Sequence, residues 1–500
     1  MKKQIKITAW LLIFTIIVSM MSSSIFVTQA ATGTNGFLAP IEPIPDGIDV
    51  TYISTPEELA AIGGEDSTGN YYALSNDINL VDEWIPIENF HCTFDGRGYS
   101  INNLFILESS NQEYAGLFGE TYATIKNVAV NIGEQGVTGS LQGFSGSSYA
   151  GGLAGYCGSN AIVNCYVTGN VSATSVYGGA LAGGLVGYFI GGTISNCYAV
   201  GNVSASSTYN LSYAGGLIGY GSGTITSCYT TGNVSIAYSG GGSYVGGLIG
   251  SGGGTITSCY TTGNISNTAT STNNWNHAGG LIGKYLSTYG RTIIITNCYV
   301  TGNVSVLSDS GSYAGGLLGG GSDFVSITNC YATGDVSSFS LYSLSYVGRL
   351  INGLMEWNPV TGEYDIIKNV SIENCYRLST QTIIGGIKND SGEPLDDNQM
   401  KDKDNFNNWD FDNVWGYMRG VNNGYPILRV FFPIIYGDID GDGEITAADA
   451  TLILRYIENL EEFDKFQIEA ANVFGDGTIT KENATLILKY IVGLEDKLGP

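Results

Sequence analysis

The middle of the chain is built from a repeating unit of mostly 31 to 33 residues, and this periodicity limits the folds open to it. The first motif of each unit is a small residue followed by Gly-Gly-Leu, the second ends in Cys-Tyr, and the third is typically Gly-Asn-Val-Ser. A unit this short cannot bury its own apolar face, so successive copies must stack to form a continuous core. Copies of the first motif begin at Ala150, Ala182, Ala214, Val245, Ala278 and Ala314, with an early copy at Ala115 and a decayed copy at Val347.

The segments between the glycines are short and rich in β-branched residues, which favours strands joined by tight turns. We therefore predict a mainly β chain folded as a parallel β-helix or solenoid, with identical residues about 4.8 Å apart on neighbouring rungs. Disulfides between rungs are disfavoured because side chains on neighbouring parallel strands point alongside one another. A ladder of small apolar thiols in the core is predicted instead, from Cys165, Cys197, Cys228, Cys259, Cys298, Cys330 and Cys375.

The first motif resembles the GLUG motif, named for its Gly-Leu-x-Gly core, which stands here as Gly216-Leu217-Ile218-Gly219. The resemblance covers residues 114–376. GLUG arrays occur in bacterial surface proteins and beside the catalytic parts of IgA-cleaving metallopeptidases, and the repeat has no agreed activity of its own. The resemblance therefore implies a GLUG-repeat β-solenoid displayed at a surface.

The N-terminus has the pattern of a secretory signal: lysines near the start, an apolar run from Ile7 to about Met21, and small residues up to Ala31. We predict that residues 1–30 are a signal peptide and that the product is secreted and extracellular, without membrane insertion. A retained membrane anchor is the alternative. Residues 31–47 are predicted to form a linker.

Residues 48–113 are predicted to form an N-terminal cap and the first rungs. The capping box Thr55-Pro56-Glu57-Glu58 predicts a short helix that ends at about Ile62. Strands are predicted at Tyr71–Leu74, Trp84–Ile87 and Tyr99–Ile106. Scattered acids in so acidic a chain more often form a solvated face than an active site. The carboxylates that could act catalytically here are Glu83, Glu88, Asp95, Glu108 and Glu113.

Residues 377–430 are rich in aromatic side chains, among them Trp409 and Trp415, and are predicted to cap the other end of the solenoid. Stacking of these rings on sugars is the alternative. A linker at residues 431–436 and a C-terminal module at residues 437–500 are predicted to follow.

The segment from Asp438 to Asp449 matches the twelve-residue EF-hand calcium loop. Carboxylates stand at positions 1, 3, 5 and 12, a glycine at position 6 allows the sharp turn, and an amphipathic helix follows. Such a set of hard oxygen donors predicts Ca²⁺ as the cofactor. Its predicted ligands are Asp438, Asp440, Asp442, Glu444 and Asp449.

A second copy of the loop and helix begins 34 residues later but lacks most of the carboxylates. Phe474 stands at position 3 with no oxygen to offer, so we expect this loop to bind calcium weakly or not at all. Its candidate ligands are Asn472, Asp476, Thr478 and Asn483.

The paired loop–helix units resemble a type I dockerin from Gly437 to about Leu494. The resemblance implies a small α-helical, EF-hand-like module that binds the cohesin domain of a scaffold protein, as in a cellulosome. It also places the cohesin contacts just before the last loop ligand and along the following helix. Because the two units differ there, we expect one binding orientation to dominate. The implied contacts are Ala447, Ala448, Leu452 and Arg455 in the first unit and Lys481, Glu482, Leu486 and Lys489 in the second.

The net charge of −25 argues against nucleic acid and anionic lipid as partners. No Asp or Glu occurs from Gln135 to Ser308, and the chain has no HExxH or GxSxG motif, so the heart of the solenoid lacks the carboxylate pair of a glycosidase. We therefore predict a secreted, non-catalytic protein of a cellulosome-like polysaccharide-degrading complex, whose solenoid is an adhesive module or binds a polysaccharide or cell-surface glycan. The alternative is a polysaccharide-degrading enzyme, a glycoside hydrolase or lyase, on a β-helix scaffold.

Overall fold

The computed structural model describes residues 36–499 with short gaps, and no helix in those described parts is long and apolar enough to cross a membrane. The predicted signal peptide and its cleavage site lie outside the described residues. The gaps are residues 64–69, 144–145, 159–160, 270–274, 287–291, 322–323, 353–354, 359–362, 367–369, 419, 433 and 464, and the side chains of residues 353–369 are not described.

The repeats stack into a parallel β-solenoid of about eight turns, as predicted. Each turn adds strands to three sheets, which we number in the order in which one repeat passes through them. Equivalent residues pair directly across neighbouring turns, as Tyr198 does with Tyr229 and Ile225 with Ile256. The first motif forms sheet 1, with strands Tyr114–Ala115, Ser148–Gly151, Ala180–Gly183, Ser212–Gly215, Ser243–Gly246, Asn276–Gly279, Ser312–Gly315, Ser345–Gly348 and Ile387–Asn389.

Sheet 2 runs through the N-terminal region and the whole repeat array, so the two share one hydrogen-bonded framework. Its strands are Val50–Ile53, Tyr71–Leu74, Thr93–Asp95, Phe118–Thr121, Thr124–Lys126, Ala154–Gly158, Ala161–Val163, Val186–Ser195, Ile218–Thr226, Ile249–Thr257, Ile282–Tyr285, Ile293–Thr296, Val325–Thr328 and Val370–Glu373.

Sheet 3 has two columns of parallel strands that both continue from the long strand Ala129–Leu141. The first column includes the residues that follow each ladder cysteine, and its strands are Ile78–Asn79, Ser100–Ile106, Tyr166–Thr168, Tyr198–Val200, Tyr229–Thr230, Tyr260–Thr261, Tyr299–Val300, Tyr331–Ala332, Tyr376–Leu378 and Glu393–Leu395. The second holds the third motif: Val171–Ser175, Val203–Ser207, Val234–Ser239, Ile265–Asn267, Val304–Ser308, Val336–Ser340 and Ile383–Ile384. Two antiparallel pairs lie apart from these sheets, Met355–Asn358 with Glu363–Ile366 and Trp415–Gly416 with Ile427–Leu428.

The glycines of the first motif allow sheet 1 to turn sharply into sheet 2. A Cβ atom on Gly151 would lie 2.2 Å from the carbonyl oxygen of Ala154, and one on Gly183 would lie 2.0 Å from that of Val186. Any side chain at these positions would push the two strands apart, so the motif is required by backbone packing at the corner.

The thiol ladder lies in the core, as the sequence predicts. All nine cysteines are buried and none forms a disulfide, and the ladder thiols donate to main-chain carbonyls, as Cys228 does to Thr226 at 3.2 Å. The residue before each ladder cysteine turns the corner into sheet 3 in the left-handed conformation, which asparagine tolerates better than most residues. Asn164 and Asn196 both have φ of 53° there.

The N-terminal region agrees with the predicted elements except at one strand. Helix α1 spans Pro56–Ala60, and the Thr55 hydroxyl accepts a hydrogen bond from the Glu58 amide at 3.2 Å. The strand expected at Trp84–Ile87 is wrong: this stretch has only one isolated bridge, from Ile87 to Phe118. The Trp84 indole donates instead to the Leu117 carbonyl at 2.9 Å, which anchors the segment through a side chain.

A C-terminal segment, residues 395–432, folds along the flank of sheet 3, and we call it the aromatic cover. Tyrosines on sheet 3 stack along the solenoid, with ring centroids 4.8 Å apart between Tyr260 and Tyr299. Trp415 of the cover is fully buried against this ladder, 6.2 Å from Tyr299 and 6.1 Å from Tyr331. The cover also contains short 3₁₀ turns at Gln399–Lys401, Lys403–Asn405, Asn422–Gly424 and Arg429–Phe431, and a further one at Glu108–Ser110 lies in the cap.

The chain ends in three helices: α2 at Ala447–Ile457, α3 at Lys465–Ala471 and α4 at Lys481–Ile491. Helices α2 and α4 pack together around a small apolar core that includes Ile453 and Ile487. The Lys465 ammonium donates to the Asn413 side chain at 2.7 Å, and Arg429 lies 4.9 Å from the ring centroid of Phe466. These contacts join α3 to the aromatic cover.

Candidate functional site

The loop before α2 brings three of its predicted calcium ligands together. Carboxylate oxygens of Asp438, Asp440 and Asp442 lie within 4.8 Å of one another. The loop closes on itself because the Asp438 carboxylate accepts hydrogen bonds from the amides of Asp442 at 3.1 Å and Gly443 at 3.0 Å. Gly443 has φ of 87°, in the left-handed region that favours glycine. A cluster of three anionic oxygen donors fits the preference of Ca²⁺ for hard ligands.

Asp449 holds the loop to the start of α2. One carboxylate oxygen accepts the amide of Ile439 at 2.8 Å, and the other accepts the amide of Thr446 at 2.8 Å. Its carboxylate is fully buried and does not belong to the cluster of three. In this structure Asp449 therefore ties the loop and the helix together, while Glu444 points to solvent.

Burial raises the pKa of Asp438 to about 6, and the nearby charges of Asp449 and Asp440 act in the same direction. Gathering carboxylates into one loop is unfavourable without a cation, because like charges repel and each loses part of its hydration. The bound cation would remove this repulsion, which is the physical link between ion binding and folding in such loops.

The loop before α4 has the same backbone plan but different side-chain chemistry. Asn483 occupies the place of Asp449: its amide oxygen accepts the Thr480 amide at 2.9 Å, while its NH₂ group donates to the Ala471 carbonyl at 3.0 Å. Asp476 accepts from Thr478, Asn472 accepts the Gly477 amide at 3.2 Å, and Phe474 is 47% exposed. Hydrogen bonds within the protein therefore hold the second loop.

The positions predicted to contact cohesin lie on the surfaces of α2 and α4. Ala447 and Ala448 are exposed at the start of α2, and Lys481 and Glu482 occupy the same places on α4. Leu452 and Leu486 are half-buried, while Arg455 and Lys489 are exposed. Arg455 also makes an ion pair with Glu461 at 3.0 Å. Each helix thus presents a small apolar surface flanked by a basic side chain.

The acidic residues of the N-terminal region make different structural contacts. Asp95 is fully buried, pairs with Lys126 at 3.3 Å and accepts the Tyr71 hydroxyl at 2.6 Å. Glu83 accepts the Leu107 amide at 2.8 Å, and Glu108 accepts the Thr174 hydroxyl at 3.0 Å. These three carboxylates stabilise turns and strands.

Glu88 is in a different environment, near an acid that the sequence analysis did not single out. Burial raises the pKa of Glu88, and the charges of Glu120 and Glu113 raise it further. Glu120 accepts the Tyr122 hydroxyl at 2.6 Å. Glu120 is 32 residues from Glu88, one rung further along the solenoid, so only the stacking register could have revealed this neighbour.

A cavity of about 530 Å³ opens on the outer face of sheet 2, beside Tyr188 and Tyr220. Ile190, Ser222, Thr224 and Thr255 are among the other residues that line it, and none of the lining residues is charged. Its size is within the range of small-molecule sites, about 300–1,000 Å³. Aromatic rings and hydroxyl groups suit a neutral ligand.

Comparison with known proteins identifies two parts of the chain. Residues 436–492 match the type I dockerin domain family, and residues 310–337 match the GLUG motif. A search of curated proteins finds no match. The crystal structure titled "a putative immunoglobulin A1 protease" from Bacteroides ovatus aligns over 76% of this chain and 92% of its own, at 17% identity and a TM-score of 0.34. The matches to the type I dockerin family and to the GLUG motif therefore identify these two parts of the chain.

The matched regions coincide with the structural units described above. The dockerin match contains both loops and helices α2 to α4, and the GLUG match lies within the stacked turns. Dockerin domains generally bind calcium, and they imply a cohesin partner. The chain carries a type I dockerin domain behind a β-solenoid that contains the GLUG motif.

Proposed function

We propose that this is a secreted, non-catalytic protein that joins an extracellular, cellulosome-like complex by calcium-dependent cohesin binding. The observation that carries the proposal is the convergence of Asp438, Asp440 and Asp442 directly before a helix whose cohesin-facing positions are exposed. Calcium in the first loop would fix the start of α2, because Asp449 ties that loop to the helix. Cohesin capture would then depend on calcium.

The two halves of the dockerin are proposed to contribute unequally. At the start of α2 the exposed pair is Ala447 and Ala448, which offers an apolar contact, whereas Lys481 and Glu482 on α4 offer a charged one. A cohesin surface that suits one pair cannot suit the other equally, because burying an unpaired charge is unfavourable. One binding orientation should therefore dominate.

The calcium dependence can be tested with the mature full chain and a panel of cohesin domains. Asp440→Ala removes a carboxylate from the cluster, so we expect calcium binding and cohesin capture to be lost. Asp476→Ala is the matched control in the second loop, where hydrogen bonds hold the backbone, and its effect should be mild. Calorimetry with calcium and then cohesin measures both steps. Equal losses from the two variants would show that both loops bind calcium, and capture in excess chelator would refute the proposal.

The orientation can be tested by exchanging the two contact pairs. Ala447→Lys with Ala448→Glu makes the first unit resemble the second, and Lys481→Ala with Glu482→Ala does the reverse. Substitutions in the dominant unit should weaken cohesin binding at least about tenfold, and those in the other unit should change it little. Similar losses from both double variants would argue for two equivalent modes.

The solenoid is proposed to be the displayed cargo, an adhesive or glycan-binding module. In the sequence, residues 135–308 include no carboxylate and only two basic residues, Lys284 and Arg291, which suits a neutral ligand better than an ionic one. Binding of the full chain to a panel of plant-wall and host polysaccharides tests this part. Absence of binding to every member would leave adhesion to a protein surface as the role.

Glu88 supports a second candidate function, glycan hydrolysis at the N-terminal end of the solenoid. A carboxyl with a raised pKa next to a second acid is the arrangement used by general acids in glycosidases. Reducing-sugar release from the same polysaccharide panel, compared between the natural chain and Glu88→Gln, tests it. Activity that disappears in the variant would favour the enzyme over the display protein.

A further inference from the structure

Exposed aromatic side chains of the solenoid concentrate along one edge. Six aromatic residues are exposed in the described parts of residues 114–352, and only Phe324 lies elsewhere. Tyr177, Tyr209, Trp275 and Tyr342 lie where the chain passes from sheet 3 to sheet 1 of the next turn, and Tyr238 lies next to such a passage, at the end of the sheet 3 strand Val234–Ser239. We call this set the aromatic edge. Tyr209 is 67% exposed, Trp275 61% and Tyr342 74%, whereas Tyr299 and Tyr331 on sheet 3 are buried in the same solenoid.

Three of these turns share one local design, Ser-x-Tyr-x. The hydroxyl oxygen of the serine accepts a hydrogen bond from the amide three residues later, in Ser175 to Gly178 at 3.1 Å, Ser207 to Asn210 at 3.0 Å and Ser340 to Ser343 at 3.1 Å. The Ser207 hydroxyl also donates to the Gly178 carbonyl of the preceding turn at 2.7 Å. The backbone that carries each exposed tyrosine is therefore held in place, which lowers the entropy lost when a ligand binds.

The rings of the edge keep accessible surface because small residues stand beside them. Gly240 and Gly241 of the next turn lie against the backbone around Tyr209 and have no side chain with which to cover its ring. The Trp275 ring lies over Gly311 of the next turn, where a Cβ would be 3.4 Å from it. Single exposed apolar residues are normal on a protein surface, whereas several exposed rings grouped on one edge are typical of an interaction site.

The near absence of charged residues along the edge limits the kind of partner that could bind there. In the sequence, the stretches between sheet 3 and sheet 1 strands from residue 175 to residue 345 include a single charged residue, Asp309, in a protein of net charge −25. A basic or acidic partner would find almost no complementary charge along this edge. The described side chains of Thr208, Asn210 and Ser343 are at least partly exposed and supply neutral hydrogen-bonding groups, and Asp309 can accept hydroxyl donors.

We propose that the aromatic edge binds an uncharged polysaccharide chain that runs along the solenoid axis. Sugar rings present apolar C–H faces that pack on aromatic rings and hydroxyl groups that bond to neutral polar side chains. Successive turns repeat about every 4.8 Å, so the edge from Tyr177 to Tyr342 offers a row of contacts to a linear polymer rather than one pocket. This inference rests on the proposed glycan-binding role of the solenoid and specifies its surface and ligand class.

The experiment uses the mature full chain in affinity electrophoresis, with a soluble uncharged β-glucan or xyloglucan in the gel. The test variant combines Tyr209→Ala, Trp275→Ala and Tyr342→Ala, and the matched control is Phe324→Ala, which removes an aromatic ring that is 51% exposed on another surface. Loss of each aromatic contact should weaken binding about 2- to 12-fold, so the triple variant should lose most retardation while the control keeps it.

Unchanged melting of the triple variant would show that it folds, as expected for exposed positions. Cohesin capture by the same variant separates this inference from the dockerin assignment, and it should be unaffected. The proposal is overturned if the natural chain binds no uncharged polysaccharide, if the triple variant binds as well as the control, or if anionic polygalacturonate binds more tightly than the neutral polymers. A change of oligomeric state in the triple variant would instead identify the edge as a contact between copies of the chain, and would also overturn it.

Discussion

Replacement of Trp415 by alanine tests whether the aromatic cover protects the solenoid. The Trp415 ring is fully buried, stacks on Trp409 with centroids 4.1 Å apart, and lies against Tyr299 and Tyr331. Truncation of a buried tryptophan removes its apolar contacts and leaves a cavity, and costs about 3–5 kcal/mol. The sheets beneath are held by their own hydrogen bonds, so the loss of stability should affect mainly the cover. We expect the cover to detach from sheet 3.

Detachment has a specific optical consequence at alkaline pH. Burial holds the pKa of Tyr299 and Tyr331 well above the ordinary value of 10.0. A buried phenol with a raised pKa stabilises the fold at pH values below 10, and this contribution is lost as the pH rises through the folded-state pKa. In Trp415→Ala both phenols should become solvated and ionise near pH 10, which phenolate absorbance would record as about two additional titrating tyrosines.

The matched control is Trp275→Ala, because Trp275 is largely exposed. Its effect on the free energy of unfolding should stay within about 0.5 kcal/mol, and its tyrosine titration should be that of the natural chain. Chemical denaturation followed by near-UV circular dichroism gives the stability comparison. If the two tryptophan variants showed the same stability and the same phenolate titration, the protective role of the cover would be refuted.

Five further predictions concern the dockerin and the solenoid. Protonation of Asp438, whose pKa is about 6, competes with calcium, so calorimetry on the full chain should show about tenfold weaker calcium binding at pH 5 than at pH 7. In excess chelator the effect of acidification should be the opposite. Lowering the pH from 7 to 5 should raise the melting temperature of the dockerin, because the raised pKa of Asp438 favours the protonated folded form. A lower melting temperature would contradict the pKa assignment. Phe474→Asp with Asn483→Asp should raise the calcium stoichiometry, and an unchanged stoichiometry would mean that backbone geometry rather than missing oxygens disables the second loop. Thiol titration of denatured protein purified under mild oxidation should find most of the nine cysteines reduced, since all are buried and none forms a disulfide, whereas at most one free thiol would contradict the ladder. Deletion of residues 437–500 should leave the β-rich circular dichroism signal intact. Loss of that signal would mean that the contacts of α3 with the aromatic cover are needed to hold the cover in place.

The sequence alone predicted the features that depend on local chemistry and on repetition. A repeat that cannot bury itself must stack, so the periodicity was sufficient to predict the solenoid and the cysteine ladder. The clustering of Asp438, Asp440 and Asp442 could also be predicted, because the EF-hand spacing of oxygen donors and glycine is a local pattern, and calcium binding by this cluster is part of the proposal. The roles of Ala447 and Lys481 came from the dockerin resemblance, and they remain predictions.

Only the tertiary structure decided which distant residues meet and which surfaces remain open. The sequence offered packing or sugar stacking for Trp409 and Trp415, and the fold buries both against tyrosines of sheet 3. The fold likewise places Glu120 beside Glu88 and leaves Tyr209 and Trp275 exposed on one edge. A sequence states the spacing of residues within a turn, but their exposure depends on how the turns and the terminal segments pack against one another, and that is a property of the whole fold.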